Sequence, residues 1–240
     1  MNPVRRVQGA LRFRRAKGNR PMAELGRLSR SRTMLVAFGG INSRIGVTPY
    51  EFSSLTGRSG VKRLYVRDLH QSWYHRGMPG HGDALMDVAA VISGVVARRR
   101  VERLVVVGTS AGGYAALVFG TLLGADVVLA FSPQTTLDLE SLAQMDDHRW
   151  DDKLQALEDD AAFDRNWVDL ARALPAARHA ETEYRVFFDD THLDRAHGER
   201  LDGLEGVRLF RFGRGEHELV KQLREAGALS RMIEHAIRPT

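Results

Sequence analysis

The sequence predicts an α/β protein built on a mostly parallel, doubly wound sheet, and three observations carry that prediction. Leu104 to Val107 is an unbroken apolar run rich in valine, followed at once by a helix-compatible stretch, Ala111 to Leu123. Such a run suits a strand buried on both faces. Further apolar runs over Thr33–Phe38, Arg63–Val66 and Asp126–Phe131 alternate with helical patterns. That alternation gives successive βαβ units with parallel strands. The chain has 240 residues, 43% of them apolar, enough for one sizeable core and a small inserted element.

In chain order, residues 1–32 form a basic arm with ten arginines and lysines against one acid, Glu24, while the rest of the chain is net acidic. The arm is expected to be a partly disordered lead-in or to hold an edge strand over Val7–Phe13. A weak contact with an anionic surface through residues 5–32 is open to it. Interleaved aromatics for base stacking are missing apart from Phe13, which argues against a nucleic-acid partner. Residues 33–240 read as one domain. Thr33–Phe38 is its first confident strand and ends in Phe38-Gly39-Gly40-Ile41. Thr48-Pro49-Tyr50-Glu51 is a helix-start signature, with a helix running to about Thr56. After Arg63–Val66 comes a loop dense in aromatic and polar residues, including Trp73, Tyr74 and His75. Loops at the carboxyl ends of parallel strands line sites in open α/β sheets, so these three residues are expected to shape a substrate pocket.

Asp83 to Arg98 places Leu85, Val88, Ala89, Ile92 and Val96 at helical spacing, closed by Arg98-Arg99-Arg100. Residues 134–183 then break the alternation with a long, acidic, helix-prone stretch anchored by Trp150, Phe163 and Trp167. Its carboxylates read as a solvated helix face, and no metal is expected. Tyr184–Phe188 and Val207–Phe212 are the last two strands. The first runs into Asp189-Asp190-Thr191-His192-Leu193-Asp194, the second into Gly213-Arg214-Gly215-Glu216-His217, ahead of a helical C-terminal region to about Ile237.

Cysteine is absent, which excludes disulfides, thiolate catalysis and cysteine–zinc sites. No apolar run approaches the ~18–20 residues that span a bilayer. The basic N-terminus lacks the apolar core of a secretory signal. A cytoplasmic location is the default expectation, and the oligomeric state is left open.

The chemistry centres on Gly108-Thr109-Ser110-Ala111-Gly112. This is G-x-S-x-G between a predicted strand and a predicted helix, whereas the phosphate-binding fingerprints that share that geometry are missing. A serine on such a turn is held in a strained backbone with its hydroxyl exposed, and the flanking glycines keep neighbouring chain from colliding. A serine at its free pKa needs a base, and His217, just past the last strand, sits where one is required. The stretch resembles the nucleophile elbow of the α/β-hydrolase superfamily, and the topology is similar over about residues 33–237.

That resemblance implies an α/β-hydrolase-type sheet with a small helical lid at 134–183. It implies an acid on the loop after the penultimate strand, where Asp194 and Asp190 are the candidates. It further implies an oxyanion hole built from the N–H of Ala111 and that of Gly40, with Ile41 as the alternative. Phe38-Gly39 stands where a His-Gly pair is commoner, and the acid lacks the usual proline-rich turn, which leaves subfamily and substrate open. The function expected is a serine hydrolase acting on a small-molecule ester, thioester or amide without a cofactor. An acyltransferase with the same triad, or a non-catalytic binding protein on the same fold, are the alternatives.

Overall fold

The computed structural model describes residues 21–26, 29–41, 52, 60–191, 193–213 and 216–238. The expected strand at Val7–Phe13, the helix start at Thr48 and most of the basic arm lie outside them.

Among the described residues, seven strands form one sheet: β1 (Met22–Leu25), β2 (Thr33–Phe38), β3 (Lys62–Val66), β4 (Arg103–Thr109), β5 (Val127–Phe131), β6 (Glu183–Asp189) and β7 (Val207–Phe212). Their spatial order is β1-β3-β2-β4-β5-β6-β7. Every neighbouring pair is parallel except β1 with β3. The antiparallel β1 is a strand the sequence did not announce, and Glu24 on it pairs with Arg99 just past the following helix. Among the described residues, one short antiparallel strand precedes the parallel set.

Alternation along the strands divides the core into two layers. On β2, Met34, Val36 and Phe38 face one layer, while Leu35 and Ala37 face the other. On β4, Leu104 and Val106 oppose Val105 and Val107 in the same way. The first layer is covered by α1 (Leu85–Arg98) and α2 (Ala111–Leu122). The second is covered by α7 (Leu219–Glu225) and α8 (Ala228–Ile237), through Leu219, Leu223, Leu229 and Ile233. Helices on both faces make the sheet doubly wound, as the sequence predicts.

Between β5 and β6 lie α3 (Leu139–Gln144), α4 (Asp151–Glu158), a 3-10 turn at Arg165–Trp167 and α5 (Leu170–Ala177). This expected insertion packs on the first layer through Leu142, Leu154, Phe163 and Trp167. Its two ends are stitched together by Leu137 N–H to the Val168 carbonyl and Leu170 N–H to the Thr135 carbonyl. A short helix, α6 (Asp194–Glu199), follows β6. Among the described residues, no helix is long and apolar enough to cross a membrane.

Candidate active site

Ser110 stands between the end of β4 and the start of α2, with φ 55° and ψ −124°. A side-chain-bearing residue at positive φ stores strain, and here the surroundings enforce it. The Ser110 N–H is tied to the Phe131 carbonyl at the end of β5, 2.9 Å away. The glycines around it have no spare room. A Cβ on Gly108 would lie 1.9 Å from the Gly112 carbonyl oxygen, and one on Gly112 would lie 2.5 Å from the Phe38 carbonyl oxygen. One on Gly113 would meet Phe131 and Pro133 at 3.0 Å. The turn expected from G-x-S-x-G therefore forms, with the end of β2 pressed against the start of α2. Gly40 and Ile41 follow that end of β2 and are half-buried, and Ala111 opens α2. The N-terminus of a helix leaves its first N–H groups without helical partners and carries partial positive charge.

His217 lies on a 3-10 turn, Glu216–Glu218, after β7. Its Nε2 is 2.9 Å from Ser110 Oγ, across 107 residues of sequence. Its Nδ1 is 3.0 Å from each carboxylate oxygen of Asp194, the first residue of α6. Burial alone would raise the Asp194 carboxyl, but His217 and Arg149 overcome it and hold the group below the usual carboxylate range. Asp190 goes elsewhere: its N–H donates to the Phe212 carbonyl, and one buried carboxylate oxygen has no partner among the described residues. Of the two carboxylates left open by the sequence, Asp194 is the one in contact with the imidazole. Asp189 accepts from the N–H and hydroxyl of Thr191.

Arg149, in the connection between α3 and α4, joins this group, and sequence reasoning missed it. Its Nη1 is 3.1 Å from Asp194 Oδ1 and 3.1 Å from His217 Nδ1. Its Nε and Nη2 donate to Asp147 at 2.8 and 2.7 Å. Asp147 also faces His197 Nε2 at 2.9 Å. Burial would push Asp147 up, yet bonds from Arg149 and His197 hold it far below the usual range. Burial would lower the Arg149 guanidinium, and Asp147 and Asp194 raise it instead. An Arg inside a run of carboxylates carries no local signal, because such a run reads equally well as a solvated helix face. Nearby, His148 pairs with Asp151 at 2.8 Å.

The aromatic loop is placed differently from the expectation. Trp73, Tyr74 and His75 are 0% exposed, so they support the site from inside instead of forming an open pocket wall. Asp68 gathers the loop by accepting the N–H groups of His70, Ser72 and Tyr74 at 3.1, 2.6 and 3.0 Å. Gln71, Trp73 and Tyr74 all adopt positive φ, strain that this carboxylate holds in place. Burial pushes the Asp68 carboxyl up against those bonds. Tyr74 Oη donates to the Gly39 carbonyl at 2.9 Å and so braces the turn after β2 from behind. Trp73 Nε1 donates to Gln134 Oε1 at 2.7 Å. His75 accepts the Asp164 N–H at Nδ1 and meets Tyr114 Oη at Nε2, while Tyr114 donates to the Trp167 carbonyl. His75 therefore holds a fixed neutral tautomer, and burial depresses its pKa to about 4.

No family model matches the sequence, and no curated protein matches it. Solved structures do. An S-formylglutathione hydrolase from Staphylococcus aureus superposes with a TM-score of 0.61 at 14% identity, over 86% of this chain and 84% of that one. A capsule O-acetyltransferase of Neisseria meningitidis serogroup A gives 0.61 at 13% identity, over 85% and 88%. A glycosylation-associated protein complex from Streptococcus agalactiae gives 0.58 at 15% identity, covering 83% of this chain but 41% of that one. The chain has the α/β-hydrolase fold. On that fold the elbow, the turn after β2, the loop after β6 and the turn after β7 converge at the carboxyl edge of the sheet. Ser110, Asp194 and His217 follow one another in the order such folds use.

Proposed function

We propose that the protein is a serine hydrolase that cleaves a small-molecule ester, thioester or amide through an acyl-enzyme on Ser110. The observation that carries this reading is the 2.9 Å contact of Ser110 Oγ with His217 Nε2, with Asp194 behind Nδ1. Ser110 Oγ attacks the substrate carbonyl while His217 Nε2 takes its proton. Asp194 holds the proton on Nδ1, which keeps the Nε2 lone pair on the serine, and stabilises the imidazolium that forms. The N–H groups of Ala111 and Gly40 receive the oxyanion, with Ile41 N–H the alternative to Gly40. The imidazolium returns its proton to the leaving group, and water then repeats the sequence to release the acid. The insertion between β5 and β6 acts as the lid that excludes water and selects the acyl group.

The test is turnover of 4-nitrophenyl esters of graded acyl length by the full chain and by Ser110→Ala. Wild type is expected to hydrolyse at least one ester, and the substitution to remove about 10⁶-fold of kcat. Equal rates in the two proteins would sink the proposal. The resemblance to an O-acetyltransferase at the same TM-score favours one second reading, in which an acceptor alcohol replaces water at the same acyl-enzyme. Product analysis with added alcohols separates the two, because transfer yields a new ester and hydrolysis yields only acid.

A further inference from the structure

The contacts of Arg149 have a consequence for His217. The guanidinium is forked: Nε and Nη2 are engaged by Asp147, which leaves Nη1 for Asp194 and the imidazole. A bidentate hold of this kind fixes a guanidinium in plane and in place. His217 Nδ1 faces a carboxylate at 3.0 Å and a cation at 3.1 Å. With a proton on Nδ1, the ring donates to Asp194 and its Nε2 lone pair points at Ser110, the arrangement a base needs. Without it, Nδ1 accepts from Arg149 and Nε2–H points at Ser110, which leaves no base. Once the ring becomes an imidazolium, it carries a positive charge beside another one.

We propose that Arg149 is a positioning residue for the reaction, clamping Asp194 through the Asp147 grip and holding a fixed cation beside Nδ1 of His217. This rests on the serine-hydrolase reading above. Among the described residues, Asp147 on the same connection, Asp194 on α6 and His217 on the turn after β7 face the guanidinium, with His197 behind Asp147. Asp147 is 2% exposed and Asp194 0% exposed, so neither is screened by bulk solvent. The placement of the insertion is thereby read directly at the triad: Arg149 can reach Asp194 only while the connection between α3 and α4 is seated.

The experiment measures the second-order rate of inactivation by a fluorophosphonate probe from pH 5 to pH 9, for wild type, Arg149→Met and Arg149→Lys. Phosphonylation of Ser110 needs the base but no knowledge of the natural acyl group. Arg149→Met is expected to be about 10–100-fold slower at pH 8, and the acid limb of its profile to move to higher pH as the cation is lost. Arg149→Lys is expected to return the limb toward wild type, because it restores charge, while recovering only part of the rate, because it cannot fork. A profile of Arg149→Met that overlays wild type overturns the inference. So does an unshifted limb with a uniformly lower rate, which is what a purely structural role would give. If Arg149→Met does not fold, Asp147→Asn replaces it: it keeps the cation but releases the grip, so a rate there equal to wild type contradicts the clamp. A wild-type protein with no Ser110-dependent labelling would instead break the hydrolase reading itself.

Discussion

Two histidine–carboxylate pairs lie on either side of one arginine. His217 faces Asp194, and His197 faces Asp147 at 2.9 Å, with Arg149 between the two carboxylates. Asp194 and His197 even share helix α6, three residues apart. The pairs differ in what the other ring nitrogen meets. His217 presents Nε2 to a strained serine hydroxyl at a partly open edge. His197 is 0% exposed, and its Nδ1 receives the Thr135 N–H at 3.1 Å. The Thr135 hydroxyl, 3.3 Å from that nitrogen, donates to the His197 carbonyl and is itself 0% exposed, so this pair has no substrate-accessible partner among the described residues and reads as structural. On the proposed function, the same two side chains serve as machinery or as scaffold according to their third partner.

Replacing each histidine sharpens that contrast most. His217→Gln is expected to cost about 10⁴–10⁶-fold in kcat with little change in melting temperature. His197→Gln is expected to lower stability by about 2 kcal/mol, since it disturbs a buried hydrogen-bonded pair, while kcat falls by no more than about tenfold. Chemical denaturation and ester turnover on both variants check this, and equal activity losses would erase the distinction.

The carboxylates come next. Asp194→Asn is expected to cost about 10⁴-fold in kcat by releasing the wrong imidazole tautomer, whereas Asp190→Asn stays within a few-fold of wild type. Reversal of that order in steady-state rates would transfer the orienting role to Asp190.

A third histidine leaves activity least touched and gives the cleanest scaffold case. His75 is neutral in the folded chain down to about pH 4, whereas a histidine in the unfolded chain takes up its proton near 6.5. The unfolded state therefore binds more protons between those values, and stability must fall as pH drops from about 6.5 to 4, by about 3 kcal/mol in all. In His75→Gln that slope is expected to flatten, with a lower starting stability at pH 7. Urea titrations at several pH values read it directly, and an unchanged slope would move the pH dependence to other groups. Asp147 and Asp194 have depressed folded pKa values, so their contribution is present above the ordinary carboxylate range and is lost only at more acid pH.

The sheet was largely legible from the sequence, because buried parallel strands write themselves as short apolar runs. Thr33–Phe38 and Val207–Phe212 fall on β2 and β7 at both ends, β3, β5 and β6 shift by one residue at one or both ends, and β4 extends the Leu104–Val107 run by one residue before it and two after. Strand β1 was not, since Met-Ala-Glu-Leu is half-buried throughout and has no run to read. At the site, Ser110 and His217 were legible because glycine spacing and position after a strand constrain them. Asp190 and Asp194 share one loop, and only the start of α6 turns Asp194 toward the imidazole. Trp73, Tyr74 and His75 were misplaced because an aromatic loop at a strand's carboxyl end reads alike whether it opens to substrate or folds inward. Here Asp68 folds it inward, a short-range effect of one carboxylate on three backbone N–H groups. Arg149 depends on contacts 45 and 68 residues away, which no local pattern encodes.

The measurement closest to the central claim is the mass of the protein after exposure to a fluorophosphonate, followed by peptide mapping of the adduct. One phosphonyl group per chain, on the peptide carrying Ser110, with labelling lost in His217→Gln, is the result expected of a serine activated by that imidazole. An unmodified chain, or an adduct on another residue, would contradict it.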